Sequence, residues 1–267
     1  MSENLSREFS RIFSAETLPQ RLVRRAERFA KQGRSNQAVI SLENAIAAGA
    51  DPYGCRLRIA NIYRTMEVWN DAFAAAEEAA ALEPHRQAAY ELLMTIAIEA
   101  GNSERVIFAS NALIRLMPRH LLAYSAQSNA YIQQGDIDAA MRVTTTMIRL
   151  DPHTAAHRFR KAMLCQHKGE VGLAVHELAI ALSLEPLGPY AEAASDALQM
   201  LDLMQIEQIM VLAGEDSVFR IKFQREPNET ARERGFVLSE SGENLLRELG
   251  AMGMPEMAFP CPTRLYN

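Results

Sequence analysis

The stretch PRHLLAYSAQSNAYIQQGDIDAAMRVTTTMIRLDP, residues 118–152, decides how this chain folds. It opens on Pro118 and closes on Pro152, with Gly135 midway, and neither half contains a further proline or glycine. Each half therefore reads as one helix. Glycine ends the first, because a residue without Cβ takes up a left-handed backbone with the least strain. Proline stops the second, because it has no N–H to donate and its ring clashes with the preceding turn.

The same punctuation recurs outward from this stretch. Pro84, Pro118, Pro152 and Pro186 are each 34 residues apart, and Gly33, Gly101, Gly135 and Gly169 keep the same period. The register gives five units without insertions: 19–52, 53–86, 87–120, 121–154 and 155–188. Repeat position 8 reads Ala26, Ala60, Met94, Ser128, Ala162; position 20 reads Ala38, Ala72, Val106, Ala140, Ala174. Position 27 reads Ala45, Ala79, Leu113, Met147, Ala181. These mostly small residues let two antiparallel helices approach closely. The often larger residue at position 11 (Phe29, Tyr63, Ala97, Tyr131, Cys165) fills the space beside them. Two turns depart from the pattern: Ala50 stands where proline is usual, and Glu67 where glycine is usual.

This pattern resembles the tetratricopeptide repeat family. The resemblance implies an all-α right-handed superhelix, an α-solenoid, over residues 19–188. It also implies that ligands bind the concave face, lined by positions 2, 5, 9, 12 and 13 of each first helix. On that basis the candidate peptide-binding residues are Asn61, Arg64, Thr95, Glu99, Asn129, Gln133 and His167. Asn61 and Asn129 matter most, because an amide offers donor and acceptor together and can pair with an extended backbone whatever its side chains. One use known in the family, a clamp for the carboxylate tail of heat-shock chaperones, does not fit. Its key positions here would be Leu57, Asn61, Leu92, Leu122 and Ala126, and only the asparagine matches.

Composition agrees with helix packing. Of 267 residues, 48% are hydrophobic and 7% aromatic, a mix that suits close-packed helices better than a sheet. A net charge of −5 gives no basic character pointing to nucleic acid. One local exception is the cluster Arg21, Arg24, Arg25, Arg28, Lys31 and Arg34, which reads first as a solvated helix face. Three cysteines, Cys55, Cys165 and Cys261, have no metal-type spacing, and their odd count argues against a disulfide framework.

Outside the repeats, residues 1–18 precede the array. There Leu5, Phe9, Ile12 and Phe13 share one helical face and suggest a capping helix. Residues 189–214 read as a degenerate sixth helical pair, acting as a cap. Residues 215–267 read as a small mixed appendage. Its expected elements are a strand at Val218–Phe223, a second strand at Gly235–Leu238, a helix at Ser239–Leu249 and a Pro- and Met-rich tail.

Catalytic signatures are absent: no phosphate-cradling glycine loop, no G-x-S-x-G elbow and no H-E-x-x-H. His153 and His157 are four apart, but the first falls in a turn, so no metal site is expected. Neither an enzyme nor a cofactor is expected. With no signal-like start and no apolar run of about 18 residues, the expected setting is the cytoplasm, without a membrane span. The expected function is a non-catalytic adaptor or scaffold for a peptide segment or partner protein. The alternatives are an accessory subunit acting through residues 215–267, and self-assembly into a homo-oligomer.

Overall fold

The computed structural model describes residues 17–251. Among them are fourteen helices, and they divide into two compact units at Asp136. The expected N-terminal capping helix, Cys261 and the Pro- and Met-rich tail lie outside the described residues.

The first unit holds α1 (Leu18–Lys31), α2 (Ser35–Ala47), α3 (Pro52–Thr65), α4 (Trp69–Leu82), α5 (Gln87–Glu99), α6 (Ser103–Leu116) and α7 (Leu121–Gln134). Each helix packs on the next in chain order. The close-packing positions fill one continuous core: Ala26, Ala38, Ala45, Ala60, Ala72, Ala79, Met94, Val106 and Leu113 are all buried within it. Burial of this apolar surface at about 25 cal/mol per Å² is the main term that holds the helices together.

Turn chemistry repeats as faithfully. Gly33, Gly101 and Gly135 close α1, α5 and α7 at φ 72°, 67° and 77°. In each turn the following amide bonds back five residues, Arg34 to Phe29, Asn102 to Ala97 and Asp136 to Tyr131, at 2.9 Å. This satisfies carbonyls that the helix end would otherwise orphan. The second repeat makes the same turn with Glu67 at φ 58°, the one non-glycine residue with positive φ among the described residues. The bond from Val68 to the Tyr63 carbonyl is kept at 3.0 Å. The first repeat, lacking proline at its end, stops α2 with Gly49 at φ 92° instead.

The second unit starts with α8 (Ile137–Leu150), α9 (Ala155–His167) and α10 (Val171–Leu184). Here too the close-packing residues Ala140, Met147, Ala162, Ala174 and Ala181 are buried. The period then ends. Where the sequence suggests a sixth helical pair, one helix, α11 (Ala191–Glu215), runs through. The physical reason is plain: Leu203 holds the position where glycine would stop the first helix.

Three short helices follow: α12 (Ser217–Arg225), α13 (Pro227–Glu233) and α14 (Glu240–Ala251). Neither expected strand forms, so the appendage is helical in its described part. Val218–Phe223 belongs to α12 because Asp216 caps the amides of Val218 and Phe219 at 2.9 and 3.0 Å. The buried pair is Phe219 and Phe223, one helical turn apart, while Val218 and Ile221 stay exposed. Gly235–Leu238 takes no regular structure. The amide of Gln205 on α11 grips Val237 from both sides, donating to its carbonyl at 2.8 Å and accepting from its N–H at 3.0 Å. Asp202, one turn earlier, accepts from the Ser239 amide at 2.9 Å and from its hydroxyl. The Ser239 hydroxyl in turn caps α14 by accepting from Gly242 at 3.1 Å. The expected helix from Ser239 is therefore present, and the core beneath it joins Ile206, Ile209 and Ala213 to Phe219, Phe223, Ala231 and Leu246.

Candidate peptide-binding face

Position 9 recurs on α3, α5 and α7 of the first unit as Asn61, Thr95 and Asn129, and all three are exposed. Their neighbours one residue before are buried, so the register points these side chains away from the core. Position 13 on α5 and α7, Glu99 and Gln133, is likewise exposed.

Several of these side chains are already joined. Arg64 donates through Nε to the Asn61 carbonyl oxygen at 3.1 Å and through a terminal nitrogen to Glu99 at 2.5 Å. This chain ties α3 to α5 and fixes the Asn61 amide with its NH2 edge free to donate. The Gln133 carbonyl oxygen accepts from the Ser103 hydroxyl at 2.8 Å, and Thr95 donates to the Glu91 carbonyl of its own helix at 2.8 Å. Exposed pairs of this kind add little stability, of order 0–1 kcal/mol. Their consequence is geometric: they hold polar groups in set directions.

Sequence reasoning missed Arg58, at position 6 on α3. It reaches Glu27 of α1 at 3.7 Å and, with Thr17, Gln20, Val23, Arg24 and Asp51, borders an open concavity of about 590 Å³. Its signal was present: Arg58 lies one helical turn before Asn61. The basic cluster is exposed throughout, and Arg25 and Arg34 lie over the Phe29 ring at 5.2 and 4.8 Å.

The seventh candidate, His167, belongs to the second unit, where it is exposed at the end of α9. In that unit positions 5 and 9 of the repeat carry Phe159 and Met163, and both pack against the core that includes Ala194 and Leu201 of α11. Phe159 stacks on Tyr190 at 5.3 Å between centroids. In the second unit these positions are therefore half-buried against the core.

Ionisable groups away from this face serve packing. Burial pushes the Cys55 and Cys165 thiols up, away from the reactive thiolate. Burial also pushes the Glu177 carboxyl up. Hydrogen bonds from Lys161 at 2.6 Å and Arg158 at 2.9 Å outweigh it, so the group stays charged below the usual range. Among the described residues, no group of three or more His, Cys, Asp or Glu side chains is placed to hold a metal ion. No described helix is long and apolar enough to cross a membrane.

No protein-family model matches the chain, and no curated protein sequence matches it. Solved structures do. A tetratricopeptide repeat protein from Parabacteroides merdae aligns at TM-score 0.54 and 18% identity, covering 87% of this chain and 98% of its own. The protein MamA aligns at TM-score 0.53 and 18% identity, over 63% of this chain and 92% of its own. YrrB, described as a tetratricopeptide repeat protein with an unusual peptide-binding site, aligns at TM-score 0.52 and 15% identity, over 66% and 90%. With the 34-residue register and its turns, these likenesses show that the chain has the tetratricopeptide repeat fold.

Proposed function

We propose that this chain is a non-catalytic scaffold that holds an extended peptide segment of a partner protein on the polar column of its first unit. The observation that carries this reading is the exposed row of Asn61, Thr95 and Asn129, with Asn61 oriented by the bridge from Arg64 to Glu99. An oriented amide can bond a peptide backbone independently of sequence, while Arg64, Glu99 and Gln133 would supply selectivity. The likeness to a repeat protein with a peptide-binding site supports it. The cytoplasm belongs to the same reading, supported by the free thiols Cys55 and Cys165.

The test starts with a peptide selected on the full chain from a random display library. The double variant Asn61→Ala, Asn129→Ala should weaken that peptide about tenfold, the cost of roughly one hydrogen-bonding anchor. Unchanged affinity across several selected peptides would move the site off this column.

A further inference from the structure

We propose a second docking site, on the exposed face of α11, for a basic amphipathic helix of a partner protein. Four large apolar side chains share this face: Met200 is 73% exposed, Leu203 50%, Met204 40% and Val211 44%. They fall at i, i+3, i+4 and i+11 of one helix, hence on a single stripe. The opposite stripe, with Leu201, Ile206, Ile209 and Ala213, is buried in the second unit's core. Met200, Leu203 and Met204 are contiguous, and Glu207 stands between them and Val211 on the same stripe. An apolar face rich in the adaptable side chain of methionine is the kind that partner helices cover.

Charge selects the occupant. Glu192, Asp196, Glu207 and Glu215 are exposed on the same helix, and no lysine or arginine occurs between Lys168 and Arg220. The exposed charged side chains of α11 itself are therefore all acidic, and the nearest arginines sit at its ends, Arg160 beside Tyr190 and Arg220 against the Ala213 and Gly214 carbonyls at 3.4 Å. The complement of the stripe is a helix with Leu, Ile or Met along one face and Lys or Arg beside them. At 25 residues, α11 is about 37 Å long and can seat such a helix over several turns.

Other occupants fit less well. Two copies of α11 face to face would set acid against acid. An anionic membrane surface would be repelled for the same reason. The Arg-rich α1 of a second copy has the charge but not the apolar face, since Leu22, Val23 and Phe29 pack into its own core. Residues 252–267 bring one acid, Glu256, and one base, Arg264, so they offer no excess positive charge.

The experiment is fluorescence anisotropy on the full chain with a labelled 18-residue Leu–Lys peptide patterned to form an amphipathic helix. A scrambled peptide of the same composition is the control. The patterned peptide should bind at least tenfold tighter than the scrambled one. Leu203→Asp and Met204→Asp should each weaken it about tenfold, and Glu207→Lys several-fold with a shallower salt dependence. Met200→Ser provides a milder variant, and unchanged circular dichroism shows that each variant folds. Asn61→Ala with Asn129→Ala should leave this binding unchanged, which separates the site from the polar column. Equal binding of patterned and scrambled peptides, or indifference to all α11 substitutions, overturns the proposal. So does concentration-dependent sedimentation abolished by Met204→Asp, which would make the occupant a second copy. A tenfold gain in peptide binding on deletion of residues 252–267 also overturns it, since the occupant would then be that segment.

Discussion

In residues 17–136 the same repeat position does the same task in unit after unit, whereas in residues 191–251 no position does any task twice. The first region is assembled from rules: small residues where helices meet, and a left-handed residue closing each first helix. The second is assembled from individual bonds, with Gln205 gripping Val237 and Asp202 receiving Ser239. Rule-built packing spreads its stability over many alanines, each contributing little. Bond-built packing concentrates stability in a few buried polar groups, where one lost partner leaves another unsatisfied.

The sharpest way to break this contrast is to remove one polar group from each region. Asp202→Ala strands the buried Ser239 amide and hydroxyl and should cost about 2 kcal/mol in urea unfolding. Asn61→Ala, an exposed polar change in the repeats, should stay within about 0.5 kcal/mol. Equal losses would mean that the C-terminal helices are held by their apolar core alone. Next in size is the turn rule. Glu67→Gly should stabilise by about 1 kcal/mol and Gly101→Glu should destabilise by a similar amount, since only glycine takes the left-handed turn without strain. A neutral Glu67→Gly would show that the side chain compensates its own backbone.

The smallest effect concerns pH. Burial lowers the pKa of His157, partly offset by Asp151 at 4.0 Å. Its folded value thus lies below its unfolded one. The associated stability is complete above the ordinary histidine value of about 6.5 and is lost as pH falls through the folded value. Unfolding free energy should therefore decline between pH 7.5 and 5.5, and His157→Gln should flatten that decline. A slope untouched by the substitution would assign it to other groups.

The contrast also explains what the sequence revealed. Register, helix ends and core positions were legible through residue 188 because periodicity multiplies a weak local signal. Glu67 and Ala50 stood out only against the other repeats. Past that point each element is a single instance. Val218–Phe223 alternates well enough to look like a strand, and the cap from Asp216 with the Phe219–Phe223 spacing outweighs the alternation. The grip of Gln205 on Val237 spans 32 residues and leaves no local trace. For the candidate face, the exposed polar row of Asn61, Thr95 and Asn129 followed from register, but the bridge from Arg64 to Glu99 links adjacent repeats and needed the packed helices. In the second unit, Phe159 and Met163 keep the inward register yet are half-buried, because α11 supplies apolar cover.

The absence of lysine and arginine through α10 and α11 reaches the bench as well. Trypsin finds no cleavage site between Lys168 and Arg220, so both helices leave a digest within the single peptide Gly169–Arg220. Amine-reactive cross-linkers find no lysine there either. A partner seated on α11 would meet no lysine on that helix, and carboxyl-directed reagents or a glutamate-specific protease would register contacts along it directly.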